Sequence, residues 1–333
     1  MEASTILITG GAGYIGSIIT NLALRQGHRV IAVDTLWFER GTPAIHLGDP
    51  AYTFVRGDMG NAALMRPLLE GVDHVIRTAA VVGDPASNKF PELTRYTNFI
   101  ATQRLITLCR QQGVRGFFFF STCSNYGIAD DLATEATALN PLSLYAETKV
   151  DIERHLMDEV HDMDWIIGRL STVYGTSPRM RFDLTVNDFT LAGWLDKKLD
   201  LFLPESYRPY IHVFDLAQVV LSLLVRITEA RHNVFNIGFP GENYQKIQIA
   251  KAVSEVIPDL AINILRDGGD KRDYQVDFTK LHRFIKLEQV HRVNSAIRDI
   301  HRMLEDGLVT DPQAPKHYNT TPELETTTIR PQT

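Results

Sequence analysis

Cysteine is scarce. Among 333 residues only Cys109 and Cys123 occur, with neither a C-x-x-C pair nor a Cys/His spacing of the zinc-binding kind. That argues against a disulfide framework and against a metal site, and it fits a reducing compartment, so the cytoplasm is the expected location. Long apolar runs are missing too: no stretch approaches the roughly 18 residues of a membrane span. The amino terminus, "MEASTILITG", enters an apolar strand without a basic leader, so neither export nor a membrane partner is expected. Basic excess is also lacking, since 34 Lys and Arg against 40 Asp and Glu leave a net charge of -6. A surface that tracks phosphates needs the opposite sign, so nucleic acid is not an expected partner. What remains is a chain with 44% hydrophobic residues, ample for a packed core in one large domain or two joined ones, and with no internal repeat.

Short apolar runs alternate with helix-length periodic segments. The runs at 5–10, 28–34, 52–58, 72–80, 115–122 and 164–171 are β-rich and end in small or polar residues. Helical patterns fill 16–27, 61–71, 98–113 and 141–160, several of them closing with Gly. Continuous apolar strands alternating with helices predict a parallel sheet covered on both faces, and right-handed crossovers make it a doubly wound α/β Rossmann fold. Beyond about residue 172 the pattern loosens, then a further helix and strand return to the sheet. We therefore expect a Rossmann domain over 1–172 with returning segments at about 209–238, a smaller interleaved substrate region over 173–208 and 239–310, and a polar tail over 311–333 with little core of its own.

The stretch "TGGAGYIG" lies between the first strand and the first helix. In it Gly10 allows a tight turn, Gly13 lets backbone approach a pyrophosphate, and Gly16 allows close helix packing, with the helix amino terminus facing the anion. The next strand ends in Asp34, 18 residues after Gly16, where a carboxylate can bond both adenosine ribose hydroxyls and repel a 2'-phosphate. No Arg or Lys follows until Arg40, so NAD is expected over NADP. Asp58 closes the third strand, either bonding the adenine amino group or serving as a turn residue.

Two further stretches carry chemistry. "STCSNYG" puts Thr122, Cys123 and Ser124 in a row at the end of a buried strand, which reads equally as a catalytic edge, half a metal site or a polar turn. "YAETK" places Tyr145 and Lys149 on one helical face. A Tyr titrates near 10 on its own, and a fixed ammonium with an oxidised nicotinamide can lower that by roughly one to three units, giving a base near neutrality.

The order of these motifs, together with "TAA" (78–80), Asn98, "GRLSTVYG" (168–175), "RPYIHVFDLA" (208–217) and "FNIG" (235–238), resembles the extended short-chain dehydrogenase/reductases of the sugar-nucleotide epimerase/dehydratase family over nearly the whole chain. Segments 177–190 and 270–281 resemble a bacterial branch that includes oxidoreductases acting on nucleotide-activated sugars and heptoses for surface polysaccharides. The resemblance implies Tyr145 as the base that takes a sugar hydroxyl proton, Lys149 as the residue that bonds the nicotinamide ribose, and Thr122 as the hydroxyl that binds the reacting oxygen. It implies a cofactor set of Gly10, Gly13, Tyr14, Ile15, Gly16, Asp34, Asp58, Met59, Ala79, Ala80, Tyr145 and Lys149. On the substrate it places Arg208 and Arg272 at the diphosphate, Asn187 at the nucleotide, and Arg179 and Arg181 at the sugar or its phosphates; Cys123 and Ser124 fall beside the sugar. It also implies a homodimer through the helices within 98–113 and 141–160.

The implied reaction oxidises a sugar hydroxyl, most often at C4, with NAD as hydride acceptor. Return of the hydride to the other face makes a 4-epimerase, the leading reading, with a nucleotide-diphosphate sugar as substrate. Net oxidation of a nucleotide-activated sugar or heptose is the alternative. Dehydration is disfavoured because family dehydratases carry Asp-Glu after the catalytic Thr, where this chain has Cys123 and Ser124. Family members that use a thiol as acid or base carry their Cys one position later, where Ser124 sits. A dinucleotide sensor without catalysis is disfavoured by the presence of Tyr145, Lys149 and Thr122 together.

Overall fold

Strand β5 shows why the centre of the molecule is a two-faced sheet. Its sequence, "GFFFFST", is buried at all seven positions. Phe118 and Phe120 point to one side, into a cluster with Ile18, Leu216 and Val220. Phe117 and Phe119 point to the other, among Leu105, Ile152 and Leu156. With a period of two, four consecutive Phe side chains serve two cores at once, each contributing roughly 1.5–3 kcal/mol by burial.

The computed structural model describes residues 3–38, 41–266 and 268–320. Its strands are β1 (Thr5–Thr9), β2 (Arg29–Asp34), β3 (Tyr52–Arg56), β4 (His74–Arg77), β5 (Gly116–Thr122) and β6 (Asp164–Leu170). They continue as β7 (Thr172–Tyr174), β8 (Lys198–Phe202), β9 (Tyr207–His212), β10 (Asn233–Ile237), β11 (Asn243–Gln245) and β12 (Ala261–Leu265). Seven form a parallel sheet in the order β10-β6-β5-β4-β1-β2-β3. This is the doubly wound fold expected from the alternation. The order reverses between β1 and β4, which opens a crevice at their carboxyl ends, the place where such sheets take ligands.

A smaller region sits over that edge. It holds a three-stranded sheet, β11-β9-β7, and the parallel pair β12-β8. Helices Thr185–Asp196, Lys246–Val256 and Val293–Glu305 pack there around Val186, Tyr210, Val253 and Ile297. The regions interleave because helix Val213–Val225 and β10 go back to the large sheet, β10 pairing with β6. The tail from 311, expected to have little core, docks through residue 320: His317 and Asn319 are buried against the segment 180–183. Its remainder, 321–333, lies outside the described residues, as does Arg40.

Candidate active site

Two cavities meet at the carboxyl edge of the sheet. One is a cleft lined by the glycine-rich turn, Asp34, Asp58, Met59, Ala79 and Ala80. The other is a cavity of about 990 Å³ lined by Thr122, Ser124, Tyr145, Lys149, Arg208 and Arg272. Tyr14, Ile15, Thr78, Ala80 and Arg181 border both, so the two are continuous.

The cleft has the shape of a dinucleotide cradle. Gly10 lies at φ +72°, and a Cβ there would fall 2.7 Å from the Ala79 nitrogen. A Cβ on Gly16 would fall 2.0 Å from the Gly10 carbonyl, so the close packing that Gly16 permits is against the turn itself. Helix Gly16–Arg25 begins behind this turn with no acidic residue in its first turn, leaving its positive end open to an anion. Asp34 sits at the end of β2 and accepts from the Ala12 (3.1 Å) and Leu36 (2.8 Å) backbone amides. Burial pushes its carboxyl up while those amides pull it down. Asp58 accepts from the Gly60 amide at 2.7 Å, the turn role that its position allowed. These features fit NAD: a cradle without side chains for the diphosphate and a carboxylate for the ribose.

Thr122 caps a short turn by accepting from the Ser124 amide at 3.1 Å, and it also hydrogen-bonds Tyr145. Helix Leu144–Glu159, capped by Ser143, carries Tyr145 and Lys149 one turn apart. The Lys149 Nζ donates to the Phe120 carbonyl at 2.6 Å and lies 5.7 Å from the centre of the Tyr145 ring. It is also 5.0 Å from the Phe119 ring, over which the Arg77 guanidinium lies at 5.6 Å. Burial dominates the environment of the phenol. Burial pushes Tyr145 up to about 12, against the Thr122 hydrogen bond and the charges of Arg181, Arg272 and Arg77. Burial likewise drives Lys149 well below its ordinary range, with Arg77 adding to the effect. The protein's own groups thus disfavour the phenolate, which leaves the oxidised nicotinamide as the other half of the expected activation.

On the far side of the cavity, the Arg208 Nη2 lies 3.0 Å from Asp270, and its guanidinium is 5.2 Å from the Tyr274 ring centre. Arg272 pairs with the same carboxylate, donates to the Ser124 Oγ at 2.8 Å and lies 3.4 Å from Asp84. Ser124 thus faces the cavity. Cys123 does not: it is fully buried with Tyr126, Val276 and Phe278, and its thiol donates to the Arg169 carbonyl at 3.2 Å. Its expected place beside the sugar is corrected by the direction of the strand end, and burial pushes the thiol far above its usual range.

Asn187 is also reassigned. It is fully buried and braces the loop, accepting from the Gly175 amide at 3.0 Å and donating to the Arg181 carbonyl at 2.8 Å. Tyr14 joins that brace by donating to the Gly175 carbonyl at 2.6 Å. Arg181 borders both cavities and is paired with Asp183, whereas Arg179 lines the cofactor cleft and not the substrate cavity. Sequence reasoning passed over Asp84, Asp270, Tyr274, Lys246 and Asn319, all of which line one cavity or the other. Asp270 had a visible signal, lying two residues before the singled-out Arg272.

Residues 6–238 match the NAD dependent epimerase/dehydratase family. The chain is 32% identical over 233 residues to an uncharacterized UDP-glucose epimerase, YtcB, of Bacillus subtilis (strain 168), covering 66% of this chain and 72% of the relative. It is 27% identical over 311 residues to a UDP-glucose 4-epimerase of Lactobacillus helveticus, covering 86% and 92%. Among solved structures, a UDP-glucose-4-epimerase from Stenotrophomonas maltophila with bound NAD and formylated UDP-arabinopyranose superposes with a TM-score of 0.80 at 23% identity, over 92% of this chain and 99% of that one. DesIV, a dTDP-glucose 4,6-dehydratase from Streptomyces venezuelae, gives 0.81 at 24%, over 91% and 98%, and these two likenesses establish the fold. With its glycine cradle, Asp34 and matched family model, the chain is an NAD-dependent enzyme and belongs to the NAD dependent epimerase/dehydratase family.

Proposed function

We propose that this enzyme is a nucleotide-sugar 4-epimerase acting on a UDP-hexose. The observation that carries the reading is that one cavity is lined both by Thr122, Tyr145 and Lys149 and by the guanidinium groups of Arg208 and Arg272. A planar guanidinium fork suits a diphosphate, and two of them suit its two charges. The UDP-glucose 4-epimerase of Lactobacillus helveticus, similar over most of both chains, supports the choice of nucleotide and carbon.

In this reading Tyr145 accepts the proton of the C4 hydroxyl while Thr122 donates a hydrogen bond to the same oxygen, holding it at the end of β5. Bound NAD supplies a reversible hydride acceptor. Lys149, anchored on the Phe120 carbonyl, positions the nicotinamide ribose. Tyr145 then returns its proton to the C4 oxygen once the sugar ring has presented its other face. Ser124 and the buried Cys123 follow Thr122, so the positions of the family dehydratases' acid and base hold no carboxylate, which favours epimerisation over loss of water. The same family likeness supports a homodimer through helices Ala101–Gln111 and Leu144–Glu159, and a cytoplasmic enzyme. No helix among the described residues is long and apolar enough to cross a membrane.

The test is incubation with UDP-, dTDP-, GDP- and CDP-sugars in deuterated water. Inversion at C4 of a UDP-sugar without solvent label supports the reading. Label at C3 or C5, or net accumulation of reduced cofactor, overturns it.

A further inference from the structure

The described end of the chain contributes a side chain to the cofactor cleft. His317 is buried with its ring 5.6 Å from that of Phe182, and its carbonyl accepts from the Phe182 amide at 3.1 Å. Two residues on, Asn319 is 7% exposed and lines the NAD cleft. Its backbone amide donates to Asp183 Oδ2 at 3.0 Å, its Oδ1 accepts from Arg179 Nη2 at 3.0 Å, and its Nδ2 reaches the Val82 carbonyl at 3.5 Å. Lys89 Nζ donates to the Thr320 carbonyl at 3.2 Å just beyond. This segment therefore spans from the Arg179–Asp183 loop to the loop after β4, across the wall of the cleft.

Arg179 explains what such a strap is for. Arg179 is 4% exposed, and its guanidinium lies 4.1 Å from the Phe38 ring centre. Its Nε has no hydrogen-bond partner among the described residues, while the neighbouring Asp183 is taken by Arg181. Asp183 and Asp34 lie near enough to act on Arg179 through their charge, yet a buried cation in the wall of this cleft with one donor unpaired can still take a further anion, and the anion the glycine-rich turn is shaped for is the NAD diphosphate. Left alone, Arg179 is pushed down to about 9 by burial and by the Arg181 charge.

We propose that Asn319 is a cofactor-positioning residue: by accepting from Arg179 in the wall of the cleft it holds that guanidinium for the NAD diphosphate. This inference rests on the NAD cleft and not on which sugar nucleotide is turned over.

The test uses the full chain with Asn319→Ala, Asn319→Asp and Arg179→Gln. NAD affinity is read by tryptophan fluorescence titration, and NAD release by chase with excess unlabelled cofactor. Asn319→Ala is expected to weaken NAD about tenfold through faster release, the scale of one hydrogen bond to a charged group. UDP affinity should be unchanged, a pattern that a general loss of structure does not give. Asn319→Asp, close in size, should weaken NAD further because its carboxylate claims the guanidinium. In the Arg179→Gln background, Asn319→Ala should add nothing. NAD affinity within twofold of wild type in both Asn319 variants, or additive losses in the double variant, would overturn the proposal. Failure of the sugar-nucleotide panel, by contrast, would overturn the epimerase reading and leave this result in place.

Discussion

Asp270 and Arg272 form a complete fork: Nε lies 2.9 and 3.0 Å from the two carboxylate oxygens and Nη2 lies 2.5 Å from Oδ2. The same Oδ2 is 3.0 Å from Arg208 Nη2. One carboxylate thus occupies both cations proposed for the substrate diphosphate. Burial alone raises the Asp270 carboxyl, but Arg272 and Arg208 together hold it well below the usual carboxylate range. A diphosphate taken by both proposed forks would have to displace a charged group already in place. Asp270→Asn is therefore expected to tighten UDP binding about five- to tenfold, with little effect on uridine, as read by calorimetry. Weaker UDP binding in that variant would show that Asp270 holds the forks in position and does not compete for them.

Tyr145 titrates in a site where the protein disfavours the phenolate. Because burial pushes it up to about 12, the proposed role as base would call on the positive charge that oxidised NAD carries. Ultraviolet difference titration of wild type against Tyr145→Phe should place tyrosinate formation near 12 without cofactor and at least about one unit lower with NAD. With Tyr145 as the proposed base, the rate of oxidation is expected to rise with pH below that midpoint. A midpoint that NAD does not move would contradict activation by the cofactor's charge.

Behind β5 lies a buried ion pair that fixes the strand carrying Thr122. Arg169 donates to Glu153 at 2.7, 3.1 and 3.2 Å, and Asn125 donates to the same carboxylate at 3.0 Å, joined by the Ser121 hydroxyl. Glu153 is fully buried, so Glu153→Gln leaves the Arg169 charge uncompensated and should cost about 3–5 kcal/mol in urea denaturation. NAD binding measured below the unfolding transition should persist, since the pair does not line the cofactor cleft.

Much of this architecture was legible in the chain. The strand runs and glycine turn identify the sheet because each burial requirement repeats with the period of a strand, and Phe117–Phe120 read as a two-faced strand from sequence alone. Tyr145, Lys149 and Thr122, which line one cavity, could be picked out because their motifs are local. Direction at a strand end was not: a single residue's turn decides that Ser124 meets Arg272 while Cys123 enters the core. Nor was the field around Tyr145, which depends on Arg77, Arg181 and Arg272 from three distant segments. Asn319 was hidden for the same reason, since its partners Val82, Arg179 and Asp183 lie 136 or more residues away.

The most direct test of the account follows the hydrogen at C4. UDP-hexose deuterated at C4 is converted in ordinary water, and the product epimer is examined by NMR and mass spectrometry, with Tyr145→Phe as the control. The account predicts inversion with deuterium retained at C4 in wild type and no inversion in the variant. Loss of the C4 deuterium to solvent during inversion, or inversion by Tyr145→Phe at the wild-type rate, would contradict it.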